Sequence, residues 1–485
     1  MHDFLCLISS MVQSSVKKGK EVNLNIESLA FGGKGVAKID DFVIFVKNTI
    51  PGQTVKAFIY KKHRGYAEAR PMEVIRESPN YTMPRCEHFE FCGGCTFQQL
   101  NYDEQIRQKK QQVINAFQRL AGLSTIKIDK IIPSDNIYNY RNKMEFTFSN
   151  RRWILPNESD DAPQSFALGL HIPGRFDKIL DINECHIQPK IGNKILNFVR
   201  EKAIELKLKP YDVKTHIGFL RHLVLRFGIN TNEIMINIVT SYENTDFLIP
   251  LVNDLIEQFP QITSIINNIN TRKADIAFGE YEIILHGAPA ITDKIGNLTF
   301  RISANSFFQT NTLQAEKLYQ AVMDVADLNT NDIIYDLYCG TGSISLFLAQ
   351  KAKEVYGFEM IRSAVNDAQQ NAIANSIENV QFFKANLDTY FKGFMHFSNF
   401  TKKFEVSKPD VVVIDPPRAG MHENMVRYLP KFGSKKIVYI SCNPTTQARD
   451  LKILVAKGYK ITKVILVDMF PHTPHIETVV VLENI

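Results

Sequence analysis

The chain has 485 residues, 45% of them hydrophobic, and a formal net charge of +6 at neutral pH. That length calls for two or three domains with sizeable cores, and no apolar run approaches the length a bilayer-spanning helix needs, which argues against a helical membrane protein. The mild positive charge suits a polyanionic partner such as RNA, although charge alone is equally compatible with a slightly basic enzyme that has none.

Met1 to Val12 carries a few apolar residues but neither a preceding basic residue nor a small-residue cleavage site, so it does not read as a signal peptide. Met11, shortly before Lys17-Lys18-Gly19-Lys20, is an alternative start. A cytoplasmic protein is expected. Seven cysteines (6, 86, 92, 95, 185, 339 and 442) are an odd number in a reducing compartment, which favours metal ligation or catalysis over a disulfide framework.

Val22 to Ile75 reads as a small all-β module: an alternating run VNLNIESL, a glycine-rich turn FGGKGVAKI, and two strands around Pro51-Gly52. It offers a basic surface interleaved with rings: Tyr60, Lys61, Lys62, His63, Arg64, Tyr66 and Arg70. Small barrels of the OB type bind RNA with such a face, cations meeting phosphates and rings stacking on bases. A solvated rim on a structural barrel is the plain alternative. With its glycine turn and closing VIRESP, residues 17–78 resemble a TRAM domain, an RNA-binding barrel.

Next comes CEHFEFCGGC, with Cys86, Cys92 and Cys95 spaced C-x5-C-x2-C around two glycines that let the backbone wrap tightly. Three thiols this close point to a metal. Cys185, in INECHIQP, is the only other cysteine before the C-terminal half and is the candidate fourth ligand. Four thiolates suit tetrahedral zinc or an iron–sulfur cluster alike; His88 and His186 are spare candidates.

Gln98 to Leu123 has helical spacing and a basic face (Arg107, Lys109, Lys110, Arg119), with Gly122 as a stop. From there to about Ala290, short β-rich runs such as KMEFTF and HLVLRFGI mix with helices such as IGNKILNFVREKAIEL, making 79–300 a mixed α+β central domain. Tyr140-Arg141-Asn142-Lys143 and Arg221-His222 add surface cations available to RNA, and Pro156 to Gln164 is expected to be a mobile loop.

Residues 301–485 alternate strand, loop and helix, the grammar of a doubly wound α/β sheet with helices on both faces. Its strands end in chemistry, at the edge where such sheets bind ligands. IIYDLYCGTGSISLFLA runs from Asp336 through a Gly340-Thr341-Gly342 turn; VYGFEM ends in Glu359; VQFFKANLD ends near Asn386; DVVVIDPPRAG ends in Asp415; and IVYISCNP ends in Cys442. The glycine turn lacks the third glycine of the nicotinamide fingerprint, because Ser343-Ile344-Ser345 follows. S-adenosylmethionine has no pyrophosphate and carries positive charge on sulfur and amine, so acidic strand ends suit it better, with Glu359 placed for the ribose hydroxyls. Asp415-Pro416-Pro417 resembles the signature of enzymes that methylate exocyclic nitrogens, but Arg418 stands where those carry an aromatic residue.

Methylating a ring carbon is a different problem. C5 of uracil is a poor nucleophile until a thiolate adds at C6, and its proton must later pass to a base. Cysteine alone usually just fills space, but Cys442 sits at a strand end among these acids. Glu477, after the His- and Pro-rich loop Pro471 to His475, is the candidate base. His472 and His475 read as structural, and Cys339 as packing.

DLYCGTGSISL, DPPRAG, ISCNPTTQARD and DMFPHTPHIETV together resemble the RNA uracil-C5 methyltransferases over nearly the whole chain. The resemblance implies that Cys442 is the nucleophile and Glu477 the base. It implies that Gln309, Tyr338, Glu359 and Asp415 line the cofactor and target-base pocket, with Phe307 and Asn386 as nearby walls. It further implies a [4Fe-4S] cluster on Cys86, Cys92, Cys95 and Cys185, packing of the helix near 98–123 on the catalytic domain, and a target uridine flipped from its stack. Thr445 stands where relatives often have alanine. The TRAM-like module and the four cysteines resemble the 23S ribosomal RNA branch more than the shorter transfer-RNA branch, and a monomer is expected. A catalytically silent RNA-binding assembly factor and a cytosine-C5 methyltransferase are the competing readings.

Overall fold

The computed structural model describes residues 16–159, 161–391 and 397–484. The reading of Met1 to Val12, with Cys6, lies outside them, as does Asp160 within the loop expected at Pro156 to Gln164. The chain divides into two compact units, the first comprising residues up to Phe89, Gly94–Ala116 and Phe470–His475, the second Glu90–Gly93, Phe117–Met469 and the chain from Ile476. Among the described residues, no helix is long and apolar enough to cross a membrane.

In the first unit β1 (Glu21–Asn25), β2 (Ser28–Leu29), β3 (Gly35–Ile39), β4 (Phe42–Val46), β5 (Thr54–Lys62) and β6 (Tyr66–Arg76) form one sheet in the order β1-β5-β6-β4-β3-β2. Successive side chains leave a strand on opposite faces, so Val55, Ala57 and Ile59 of β5 meet Leu24, Ile44 and Val46 in the core of the small barrel. On its basic face Glu68 accepts from Lys34 (2.6 Å) and Tyr60 (2.9 Å), which pulls its carboxyl down to about 2. His63 stacks on Tyr66, ring centroids 4.3 Å apart.

The helix expected near 98–123 runs over Tyr102–Ala121. Its basic residues are not all solvated: Lys109 is fully buried and its ammonium donates to the Phe470 carbonyl at 3.1 Å. One turn earlier, Gln105 accepts the His472 amide at 2.9 Å, while its own amide donates to the carbonyls of Phe97 and Leu100. His472 is buried, in a left-handed backbone conformation (φ 65°).

The second unit holds β7 (Lys130–Ile132) and, after it, a sheet of β8 (Lys143–Ser149), β9 (Ala167–His171), β10 (Ile179–Asp181), β11 (Leu220–Phe227), β12 (Ile234–Thr240), β13 (Ile262–Ile269) and β14 (Tyr281–Gly287), in the order β10-β9-β8-β11-β12-β13-β14. Helices Lys190–Glu205 and Thr245–Gln258 bury Ile195, Leu196, Val199, Leu248 and Leu251 against Phe146, Leu223, Leu225, Ile236, Ile238 and Ile265. Alternation puts Glu145, Arg226, Asn237, Asn268 and Glu282 on the opposite, polar face.

Of the cations expected here at the surface, Arg221 and His222 are interior and Arg141 and Lys143 are half-buried, which corrects the sequence reading. Arg221 is 1% exposed: its guanidinium donates to the carbonyls of Asn270, Arg272 and Ala274 and lies over the Tyr211 ring. His222 is buried 3.1 Å from Asp275, and Tyr140 and Asn142 are buried too. Residue type announced charge; long-range carbonyl partners decided burial.

A hairpin, β15 (Ala290–Ile295) with β16 (Leu298–Ser303), leads into the third sheet. Its strands β17 (Ile333–Leu337), β18 (Glu354–Glu359), β19 (Val380–Lys384), β20 (Val411–Ile414), β21 (Lys436–Ser441), β22 (Tyr459–Val467) and β23 (Glu477–Asn484) join β7 in the order β19-β18-β17-β20-β21-β23-β22-β7. The expected parallel register holds from β19 to β21; β23 then runs antiparallel to both β21 and β22, and β7 adds parallel to β22. A short connection suffices between antiparallel neighbours, so β22 and β23 need no crossover helix.

Candidate active site

Asp336, Glu359, Asp415 and Cys442 stand in or just beyond the carboxyl ends of parallel neighbours β17, β18, β20 and β21. Glu477 opens β23 beside β21, so the antiparallel strand brings its first residue to the edge where parallel strands finish. It sits between two strands and is buried (6% exposed), not an exposed edge glutamate.

The turn after β17 is under conformational constraint. Tyr338 takes φ 68°, rare for a residue with a side chain, and its amide is held by the Phe358 carbonyl at 2.9 Å. Gly342 takes φ 81°, and a Cβ there would fall 2.6 Å from the Phe382 ring, so only glycine fits. Glu359 closes the turn: one carboxylate oxygen accepts the Gly340 amide (3.2 Å), the other the Ile361 amide (2.8 Å). Each oxygen keeps a lone-pair site for a ligand hydroxyl.

The carboxyls behind this turn are crowded. Asp336 accepts the Ser345 hydroxyl at 2.5 Å, while its other oxygen has no hydrogen-bond partner among the described residues. Burial, aided by the charges of Asp415 and Glu359, pushes it up to about 7. Burial pushes Asp415 up to about 7, and burial with the Asp415 charge pushes Glu477 up to about 8. These groups share one field and titrate as a cluster.

Cys442 is half-buried, and its thiol is pushed up to about 12, first by burial and then by Glu477 and Asp415, with Arg418 pulling the other way. Asn443 caps the helix Pro444–Val455 through the Thr445 amide and also donates to the Arg418 carbonyl at 3.1 Å. The two loops that carry the thiol and the cation are therefore tied together. Burial and mutual repulsion favour the neutral forms of this thiol and these carboxyls, and a bound cation would favour their ionised forms.

Of the remaining predicted pocket residues, Asn386 spends its side-chain oxygen capping the helix Leu387–Tyr390, two residues before Asp388, which accepts the Tyr338 hydroxyl at 3.2 Å. Gln309 and Phe307 lie in the segment between β16 and the helix Thr312–Ala326. Phe307 is 66% exposed and its carbonyl accepts the Thr341 hydroxyl at 3.3 Å, joining this segment to the glycine turn. Sequence reasoning missed Tyr319, buried with its hydroxyl 3.0 Å from Ser343 and exposed to the fields of Asp415, Asp336 and Glu477. A tyrosine within an apolar helical stripe gives no local sign of that placement. Cys339 is buried and its thiol raised well above normal, consistent with packing.

The four cysteines are divided by the fold: Cys86 and Cys95 belong to the first unit, Cys92 and Cys185 to the second. Cys92 and Cys185 both pack against the central core. Burial raises the Cys185 thiol while the amides of Ile187 and Gln188 counteract it, a donor pattern that suits a thiolate ligand. Among the described residues, however, no three or more His, Cys, Asp or Glu side chains are gathered to hold a metal ion.

Residues 251–485 match the family described as tRNA (uracil-5-)-methyltransferase, and residues 15–72 match the TRAM domain. An "uncharacterized RNA methyltransferase" of Chlorobaculum tepidum is 40% identical, covering 96% of this chain and 97% of its own. Another so named, from Porphyromonas gingivalis, is 39% identical over 95% of this chain and 99% of its own. Among solved structures, the tRNA (uracil-54, C5)-methyltransferase of Pyrococcus abyssi in complex with S-adenosyl-L-homocysteine superposes with a TM-score of 0.74 at 29% identity, covering 95% of this chain and all of that one.

Proposed function

The chain belongs to the RNA uracil-5-methyltransferase family, and from that premise we propose that it transfers the methyl group of S-adenosylmethionine to C5 of a uridine in RNA through Cys442 and Glu477. The observation that carries this reading is that neighbouring strand ends bring Asp415, the half-buried thiol of Cys442 and the buried Glu477 to one ligand edge of the sheet. The orphaned oxygen of Asp336 and the lone pairs left on Glu359 fit a ligand with positive charge and ribose hydroxyls. Gln309, Tyr338, Glu359, Asp415 and Asn386 form its surroundings in this reading.

When bound, S-adenosylmethionine supplies an electrophilic methyl on positively charged sulfur. The chain supplies the rest. Arg418 and the added positive charge favour the Cys442 thiolate, whose lone pair forms a bond to C6 of the flipped uracil. The C5–C6 π pair moves toward O4, and C5 then gains the methyl as the old methyl–sulfur pair stays with sulfur. Ionised Glu477 takes the C5 proton, the C–H pair restores the C5–C6 double bond, and the Cys442 sulfur leaves with its own bonding pair. Burial serves Glu477 here, because a base raised to about 8 accepts a proton more readily than an ordinary carboxylate.

For the RNA, the TRAM domain and the four cysteines favour 23S ribosomal RNA, acted on in the cytoplasm by a monomer. Transfer RNA is the second reading, favoured by the likeness to the tRNA (uracil-54, C5)-methyltransferase of Pyrococcus abyssi. We assign Cys86, Cys92, Cys95 and Cys185 to an iron–sulfur cluster on the chemistry of the donor set. Iron, sulfide and visible absorbance in protein purified without air test that assignment, and zinc alone would overturn it.

The function itself is tested by incubating labelled cofactor with unmodified ribosomal and transfer RNA. Incorporation by the wild type and none by Cys442→Ala is expected, as is a covalent adduct at residue 442 with RNA containing 5-fluorouracil. Equal incorporation by both proteins, or no adduct with active enzyme, would refute it.

A further inference from the structure

The segment Ala304–Asn311 carries Phe307 and Gln309, touches the glycine turn at Thr341, and has no regular structure of its own. What shapes it is the polar face of the central sheet. Arg226, on β11, is 2% exposed, and one nitrogen of its guanidinium donates to the carbonyls of both Ala304 (3.1 Å) and Ser306 (2.6 Å). Asn268 of β13 donates to the Asn305 side chain (2.7 Å), which donates to Glu282 of β14 (2.8 Å). At the far end the Asn142 amide donates to the Gln309 carbonyl (2.9 Å) and to Thr312 (2.7 Å), and the Thr312 hydroxyl donates to Asp293 (2.7 Å).

A guanidinium this buried is costly unless hydrogen bonds and compensating charge offset its desolvation. Glu145 and Glu282 provide compensating charge but no ion pair with it, and its Nε has no partner among the described residues. Its hydrogen bonds go to backbone carbonyls just before Phe307. Fixed backbone two residues apart sets the direction in which the next side chains leave.

We propose that Arg226 is a positioning residue for methyl transfer: by clamping the Ala304 and Ser306 carbonyls, it holds Phe307 and Gln309 against the Tyr338–Gly342 turn. Asn142 is the second clamp, at the Gln309 end. Neither residue touches the reacting atoms, and both lie in the part of the chain that otherwise reads as RNA-binding. The inference rests on the proposed placement of Gln309 beside the cofactor and target base.

The test uses the full-length enzyme with Arg226→Lys and Arg226→Met, measuring S-adenosylhomocysteine affinity by calorimetry, RNA affinity by filter binding, and single-turnover methyl transfer. Displacement of a positioned group by about an ångström costs on the order of a hundredfold in rate. Arg226→Met is expected to slow single-turnover transfer ten- to a hundredfold with RNA affinity within about twofold of wild type, and Arg226→Lys, which can still reach one carbonyl, to recover part of the loss. Unchanged transfer in a folded Arg226→Met protein would overturn the proposal, and so would a loss confined to RNA affinity. If Arg226→Met fails to fold, Arg226→Lys decides by the same split. A wild type that binds no S-adenosylhomocysteine would sink the functional reading instead, which keeps the two failures apart.

Discussion

Asn443 hands its side-chain amide to the carbonyl of Arg418 at 3.1 Å, and in doing so couples the thiol loop to a side chain whose charge lowers the Cys442 thiol. Arg418→Met should therefore slow alkylation of Cys442 at mildly alkaline pH by roughly three- to tenfold, the effect of half to one pK unit. Arg418 is exposed, so added salt should shrink the difference. Peptide mapping after limited iodoacetamide treatment reads it directly, and equal labelling of wild type and variant at low salt would show that the cation does not reach the sulfur.

Glu477→Gln separates the two halves of the chemistry. In the proposed mechanism the thiolate can still add and C5 can still take the methyl, but the base that would remove the C5 proton is gone. Turnover should fall by on the order of 10³ or more, while a methylated covalent protein–RNA species accumulates. Denaturing gels with labelled cofactor would reveal it. A variant that turns over freely would displace Glu477 from the role.

Proton release on binding is the third expectation. With Asp336 and Asp415 raised to about 7 and Glu477 to about 8, the cluster retains part of its protons at neutral pH in the unliganded enzyme. A cationic ligand favours their ionised forms, so cofactor binding should expel protons, more so for S-adenosylmethionine than for the uncharged-sulfur product. Calorimetry in buffers of different ionisation enthalpy measures it. The same raised values fix the sign for stability: this contribution is fully present below the ordinary carboxyl range and is lost as pH rises through 7 to 8. Thermal stability of the unliganded enzyme should accordingly decline across that window, and less so with cofactor bound.

Gly342→Ala should damage the cofactor turn at its root. The new methyl would meet the Phe382 ring at 2.6 Å in a backbone at φ 81°, costing about 1–3 kcal/mol. Thermal denaturation would show the lost stability, and S-adenosylhomocysteine titration a weakened affinity.

The strand ends that carry the site were readable because each follows a run of β-branched and aromatic residues broken by polar, glycine or proline residues, a local pattern with a local cause. Asp415 and Cys442 needed no more than that. Lys109 and Arg221 were not readable, since their burial depends on the carbonyls of Phe470 and of Asn270, Arg272 and Ala274, which no nearby residue announces. Arg226 was hidden for the same reason: within HLVLRFGI it looks like one more surface cation, and only the pairing of β11 with β8 and β12 turns it inward. The three-residue β7 was invisible at its length, too short for any periodicity to register.

That small strand has a practical consequence. Lys130–Ile132 covers the outer edge of β22, pairing with Ile465–Val467. A fragment cut at the start of the C-terminal half would leave that edge bare, with its amides and carbonyls open to any neighbouring chain. Attempts to isolate the methyl-transfer half alone should thus yield sticky, self-associating material unless the cut is moved upstream of residue 130 or the missing strand is supplied as a peptide.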